Sequence, residues 1–458
     1  MMGGVMTASR VVLASLSLIA ISAASTPAAS FPADRLVDTC QGMAATIVGG
    51  PDVRKLTGTP GPDVIVSAGS ALVKAGPGDD LVCVTGPATL VSAGSGADVV
   101  STSDGDHETR TNLGPGADRF SGGNRRDTIV QVSTTGAEVD RIDTGAGADV
   151  YRQDVPQPVA PEGPAPDNAL VDLGAGPDLA WLTASNLGGS LDGGSGLNTL
   201  SVYDSIERDY LPWTFDNVIG AASFNGVVQY HWSGFRGFTF PWSGPISFQG
   251  SGAAEVVRAS ASESGGPRFT LLDMAGGDDR VVMYDMNAPL RGGDGTDTLR
   301  LLGFGDARLQ VPARRAHVDL QRGLVSLSGA GTDEVVDVEN VEVDGFLIVE
   351  LIGSEAANRF VVGRACETTM HGAAGADRLS ATPGSACRPG GLEPAGVTRG
   401  VFAFGEGGND LLEGRATADQ LVGGPGDDTV DGKGGIDACS AELALRCEVT
   451  MTRDRRPG

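Results

Sequence analysis

A chain of 458 residues with 58 acidic against 33 basic side chains has a formal charge of -25. That field repels nucleic acid and anionic membrane surfaces and calls for a cationic partner. Glycine at 69 residues with aromatics at 5% argues against a globular α/β enzyme and for a turn-rich repeat architecture.

Residues 1–30 read as an export signal peptide. Arg10 provides the positive start, VVLASLSLIAISAA the apolar run, and the small residues from Ala24 to Ser30 a cleavage region. The run is too short for a stable membrane span, and nothing later in the mature chain resembles a transmembrane segment. A secreted, extracellular location is therefore expected. Six cysteines in an exported chain imply disulfides, and proximity pairs Cys40 with Cys83, Cys366 with Cys387, and Cys439 with Cys447.

From Ala45 short apolar triplets return roughly every nine residues: TIV at 46, VIV at 64, LVK at 72, LVC at 81, LVS at 90 and VVS at 99. Alternate members follow GTPGPD, AGPGDD and AGSGAD, with LGPGAD next, ending at Asp63, Asp80, Asp98 and Asp118. Spacings of 17, 18 and 20 residues amount to one coil each, so these aspartates stack along one edge. The opposite edge carries AGSA and TGPAT, without a carboxylate. Ala75, Ala93 and Leu113 stand where a first loop glycine belongs, and a Cβ there is expected to strain the turn. The series thins through Asp127, Asp149, Asp178 and Asn198, around a proline-rich excursion between Arg152 and Asn168 that cannot supply ladder hydrogen bonds.

Twelve of the 23 aromatic residues lie between Tyr203 and Phe248. One reading is aromatic packing inside wider coils or a side hairpin. The other is an exposed platform for sugar rings, with Asp204, Glu207, Asp209 and Asp216 as candidate carboxylates. Repeats resume at Asp279 and Asp297, one coil apart, and continue at Asp333, Asn358 and Asp377. Irregular stretches are expected near 152–168, 203–270 and 385–400, in a stack of about twenty coils of about 4.8 Å rise.

The stretch from Gly405 to Cys439 states the pattern most fully. GEGGNDLLE, GRATADQLV, GGPGDDTVD and GKGGIDAC place Asp410, Asp419, Asp428 and Asp437 nine residues apart, each after glycines and before an apolar pair. Glycines turn without a Cβ clash, the D-x-U-x half suits a short strand, and two units make one coil. Asp410 then lies over Asp428 and Asp419 over Asp437. Carboxylates stacked at about 4.8 Å repel by roughly 1 kcal/mol in water and about 3 to 4 at an effective dielectric of 20. Such a column favours a hard cation with oxygen ligands, and calcium fits.

These residues resemble the hemolysin-type calcium-binding, or RTX-like, repeat family, in the arrangement of exported actinobacterial calcium-binding repeat proteins. The resemblance implies an all-β, right-handed parallel β-solenoid (β-roll) with Ca2+ between stacked loops. By matching position it assigns metal roles to Asp410, Asp419, Asp428 and Asp437, and beyond them to Asp63, Asp80, Asp98, Asp118, Asp279 and Asp297. The organisation expected is 1–30 signal peptide, 31–200 one-sided repeats, 201–270 aromatic-rich coils or insertion, 271–404 degenerate repeats, 405–440 regular β-roll and 441–458 cap and tail.

No catalytic constellation appears. His107, His231, His317 and His371 lack zinc-protease spacing, and there is no G-x-S-x-G elbow. The expected function is a secreted calcium-binding, non-enzymatic β-roll with a structural or cell-surface role. The alternative is a polysaccharide-binding or polysaccharide-modifying β-helix that contacts extracellular polysaccharide or the cell envelope.

Overall fold

The computed structural model describes residues 38–451 except 88, 104–106, 133–137, 155–167, 184–187, 204–211, 242–244, 260–267, 285–287, 304–314, 328–331 and 383–399. The expected signal peptide, the proline-rich segment, Cys387, Trp242, and Asp204, Glu207 and Asp209 lie outside the described residues. The described residues belong to one compact unit beginning at Asp38.

Strand formation follows from the triplets. In VIV, LVC and VVS the middle residue points inward: Ile65, Val82 and Val100 are fully buried, as the two-residue period of an extended chain requires. Strands Val64–Val66, Leu81–Cys83 and Val99–Ser101 pair in parallel, Ile65 over Val82 over Val100. They form the first of two long sheets. Between them, Leu72–Pro77 and Thr89–Ser95 pair in parallel in the second sheet, Val73 over Val91. Each coil thus gives one strand to each sheet, and the second sheet has 18 strands among the described residues, from Lys55–Thr57 to Leu443–Leu445. The inward rows meet in one continuous hydrophobic core. Glycine loops fill the turns, so no helix occurs among the described residues, and none is long and apolar enough to cross a membrane. The architecture is an all-β parallel solenoid, as the sequence pattern anticipates.

The aromatic block is core. Trp213, Phe215, Tyr230, Trp232, Phe235, Phe238, Phe240 and Phe248 are all buried. They accompany a change in the first sheet, where Trp213–Asp216, Ala221–Phe224 and Val227–Ser233 run antiparallel to one another in place of one strand. The outer two continue the parallel stacking, onto Pro245–Gln249 and Ser190–Asp192 respectively. Two added strands widen the coil, and rings fill the extra width, with Phe215 4.8 Å from Phe240 and Phe238 4.9 Å from Phe248. The exposed-platform expectation is corrected for these eight residues. Parallel coils resume at Phe235–Phe240 and Pro245–Gln249.

A second insertion of the same design escaped the sequence reading. Arg315–Asp319, Leu324–Leu327 and Thr332–Val336 form another antiparallel set within the first sheet. Asp333 therefore lies in a strand, paired with Val325, and is not a loop aspartate. Its GAGTD context matches the repeat spelling, yet Thr332 and Asp333 pair with Ser326 and Val325.

Two of the three expected disulfides are described, Cys40–Cys83 and Cys439–Cys447, with Cα atoms 5.5 and 5.9 Å apart. Cys366 is also disulfide-bonded.

Candidate metal centre

Loop aspartates that precede strands form columns held by one repeated contact. The main-chain N–H of each aspartate donates to Oδ1 of the aspartate one coil on. Along the edge entering the first sheet, Asp63 donates to Asp80 at 2.8 Å, Asp80 to Asp98 at 2.9 Å, Asp98 to Asp118 at 2.8 Å and Asp118 to Asp140 at 2.6 Å. Asp63, Asp80, Asp98 and Asp118 thus share one edge, as their spacing predicts. Asp140 completes the column although its context, GAEVDRID, lacks the later loop glycine and only Ile142 of the following strand is apolar.

The column then changes edge. On the side entering the second sheet, Asp127 donates to Asp149 at 2.7 Å, Asp149 to Asp178 at 2.8 Å and Asp178 to Asn198 Oδ1 at 2.9 Å. After the wide coil the same edge continues from Glu255 to Asp279 at 2.7 Å, Asp279 to Asp297 at 2.8 Å and Asp297 to Glu339 at 2.8 Å. It reaches the C-terminal stretch through Asn358 to Asp377 at 2.7 Å, Asp377 to Asp410 at 2.8 Å and Asp410 to Asp428 at 3.0 Å. Glu255 and Glu339 were not anticipated, since the longer carboxylate does not match the repeat spelling.

Within 405–440 both edges are loaded: Asp410 and Asp428 stand on one and Asp419 and Asp437 on the other, where Asp419 N–H meets Asp437 Oδ1 at 2.9 Å. This confirms the pairing of alternate units. Both edges are also loaded where Asp118 and Asp140 run beside Asp127 and Asp149, so the C-terminal stretch is not alone in this. Beyond it each column ends on a glutamate. Asp428 N–H donates to Glu442, inside the segment closed by Cys439–Cys447, and Asp437 N–H to Glu448 just after it, both at 2.9 Å.

The second carboxylate oxygens decide the chemistry. Oδ2 of Asp80, Asp98, Asp118, Asp178, Asp297, Asp377, Asp410 and Asp437 is buried with no hydrogen-bond partner among the described residues. Asn198 shows what these oxygens face, because its Nδ2 donates to the loop carbonyls of Gly193 at 2.6 Å and Gly234 at 3.0 Å. An aspartate oxygen turned to those carbonyls would set oxygen against oxygen and call for a proton or a cation, whereas Oδ2 of Asp63 accepts the Thr59 N–H at 2.6 Å.

Burial accordingly raises the carboxyl pKa of these groups, opposed by the N–H bond from the preceding coil and reinforced in most of them by neighbouring carboxylates. Asp98 and Asp297 rise to about 6, Asp279 and Asp377 to about 7, and Asp118 to about 8. Asp80, Asp410, Asp419 and Asp437 shift in the same direction.

The first loop glycine has a different role from the one expected. Gly405 and Gly423 lie outside the positive-φ region, and an added Cβ would run into Oδ2 of Asp410 and Asp428 respectively. At these two positions the glycine makes room for the carboxylate and, at Gly405, for the Gly423 carbonyl, whereas the loops of Asp80, Asp98 and Asp118 hold a Cβ at the same place. Ala75, Ala93 and Leu113 likewise avoid positive φ and are fully buried, so the expected strain is absent. Positive φ belongs to the second and fourth loop positions, such as Gly424 at 112° and Gly426 at 147°.

Among the described residues no three His, Cys, Asp or Glu side chains converge on one point. A cation in these loops would therefore draw on one carboxylate column and on main-chain carbonyls, a donor set that suits calcium.

A groove of about 720 Å³ also lies on the outer face of the first sheet, bordered by Arg119, Arg141, Asp143, Asp172, Asp192 and His231. Oδ1 atoms of its three aspartates accept from the amides of Gly145, Gly174 and Gly194 at 3.1, 2.9 and 2.9 Å, so these side chains serve the turns.

Stacked loops, carboxylate columns and two parallel sheets define a β-solenoid of the β-roll class. Residues 404–438 match the RTX calcium-binding nonapeptide repeat in four copies. No curated protein matches the chain.

Proposed function

We propose that this chain is a secreted calcium-binding β-roll protein, non-enzymatic, with a structural role outside the cell or on its surface, whose coils gain stability from the ion. The observation that carries the reading is the pair of aspartate columns within 404–438, where Oδ2 of Asp410 and Asp437 is buried without a hydrogen-bond partner. Asp410, Asp419, Asp428 and Asp437 are the carboxylates that would face the ion, with carbonyls of the loops beginning at Gly405, Gly414, Gly423 and Gly432. Asp63, Asp80, Asp98 and Asp118, together with Asp279 and Asp297, form the same kind of column and extend the proposal along the chain. Bound calcium supplies the positive charge that lets stacked carboxylates stay ionised in a buried loop.

The net charge of -25 supports coupling of folding to the ion. In a calcium-poor cytosol the chain repels itself, and millimolar calcium outside favours the coiled state. The export signal read in residues 1–30 fits this order of events. Far-UV circular dichroism and melting of the mature chain in millimolar calcium and in chelator test the coupling: calcium should raise the melting temperature, and identical curves would refute it. Recovery of chain starting between Ser25 and Phe31 from culture medium tests export.

A further inference from the structure

The four units of 404–438 match one repeat, but the second, GRATAD, lacks the later loop glycine and is built differently. In the other three the second and fourth loop residues have positive φ: Glu406 and Gly408 at 70° and 131°, Gly424 and Gly426 at 112° and 147°, Lys433 and Gly435 at 67° and 135°. Arg415 and Thr417, at the same places in the second unit, lie outside that region. This loop lacks the turn geometry of its neighbours.

The Arg415 side chain is 5% exposed and points into the edge of the first sheet. Its Nη1 donates to the Ala365 carbonyl at 2.8 Å, and its Nη2 to Thr368 Oγ1 at 3.0 Å and the Gly400 carbonyl at 3.5 Å. The adjacent carboxylate is fully bonded. Asp419 Oδ2 accepts the Arg415 main-chain N–H at 2.7 Å, and Oδ1 accepts Thr417 Oγ1 at 2.8 Å and the Val401 N–H at 2.9 Å. Asp410 and Asp437, by contrast, each keep an Oδ2 with no hydrogen-bond partner among the described residues.

Two carbonyls, a hydroxyl and a nearby carboxylate form an all-oxygen donor set that suits a hard cation. A guanidinium, planar and permanently charged, satisfies the same oxygens. In the two coils before Asp419 Val401 and Thr368 occupy the column position in register, so no carboxylate stands there. A charge is needed only at its head.

We infer that Arg415 is a built-in cation that takes the place of calcium at the head of the Asp419–Asp437 column, so that the second RTX unit is calcium-independent. The inference rests on the calcium reading proposed above. It also limits that reading, since the four copies then provide fewer than four equivalent loops.

The test compares the full mature chain with the double variant R415G/T417G, which returns glycine to both turn positions, and with R415M, which keeps bulk without charge. Calcium bound per chain is counted by calorimetry, and melting is followed in chelator and in calcium. The double variant is expected to bind one more calcium than wild type and to melt lower in chelator, with calcium restoring the loss. R415M should keep the wild-type count and melt lower in both conditions. An unchanged count in the double variant, with calcium bound by wild type, overturns the Arg415 inference and leaves the calcium reading intact. No calcium on wild type but one on the double variant has the opposite meaning, and none on either refutes both. Should the double variant fail to fold, wild-type crystals soaked in terbium decide the matter: a peak beside Asp410 and Asp428 with none at the Ala365 and Gly400 carbonyls supports the inference, and a peak at those carbonyls overturns it.

Discussion

The informative residue pair is an aspartate and the first glycine of its own loop. Oδ2 of Asp410 occupies the space a Cβ on Gly405 would need, so Gly405→Ala should displace the carboxylate and disturb its bond to Asp377 N–H. A destabilisation of about 1 to 3 kcal/mol is expected, read by thermal melting, together with weaker calcium binding by calorimetry. No change in either would show that the loop has room the geometry denies. The same crowding sets a pH dependence. Folded pKa values raised to about 6 at Asp98 and about 8 at Asp118 lie above the ordinary carboxylate value. The folded state therefore holds protons that the unfolded chain releases. Stability from these groups is full below about pH 4 and is lost as pH rises through 6 and 8. In chelator the protein should thus melt at higher temperature at pH 5 than at pH 8. Asp118→Asn, which copies the neutral amide already present at Asn198, should flatten that difference, and melts across the range would show it. The loop spellings AGSGAD and LGPGAD and their spacing locate Asp98 and Asp118 in the sequence. It could not supply their burial, because that comes from the loops of adjoining coils.

At the scale of elements, the two antiparallel insertions show where pattern and structure part. Each replaces one strand of the first sheet with three. The first was visible in outline because widening the coil requires large side chains, and twelve aromatics mark it. The second is lined by small aliphatics such as Ala316, Val318 and Val325, with no change in composition to reveal it, and its GAGTD imitates a repeat loop. Trp232 tests the core role of the first. It is 6% exposed, and its Nε1 donates to Asn217 Oδ1 at 2.9 Å. Trp232→Ala should cost about 3 to 5 kcal/mol, measured by denaturant titration, and a near-neutral result would return the side chain to the surface role that the sequence left open. The C-terminal cap has a parallel logic. Glu448 receives the last N–H of its column at 2.9 Å, and Glu448→Ala leaves that donor without its carboxylate. A loss of about 1 to 2 kcal/mol is expected, concentrated in faster amide exchange of Ala438–Ser440.

Across the whole molecule, each coil touches chiefly the coils before and after it, and stability in such a stack is close to a sum of local terms. Damage should stay near its source. Replacing Cys40 and Cys83 by serine should raise amide exchange in Val64–Val66 and Leu81–Cys83 while leaving Leu411–Glu413 and Thr429–Asp431 unchanged. Exchange rising equally throughout would mean that the solenoid melts as one unit. The two described disulfides pin the first and last coils, where an open edge has no neighbour to complete its ladder.

The sequence by itself determined the coil. An apolar triplet, a glycine turn and an aspartate, repeated about every nine residues, suffice to specify parallel stacking, because a short strand and a tight turn are local properties of those residue types. It also placed Asp63 over Asp80 and Asp410 over Asp428, since spacing becomes stacking once the coil is known. Tertiary structure alone decided which edge each column follows, that Asp140, Glu255 and Glu339 belong to the columns, and that Arg415 turns inward to the carbonyls of Ala365 and Gly400. These outcomes depend on groups up to 50 residues away along the chain. A repeat spelling records what each loop can do, whereas burial, charge and the need for a cation are fixed by the coils stacked above and below it.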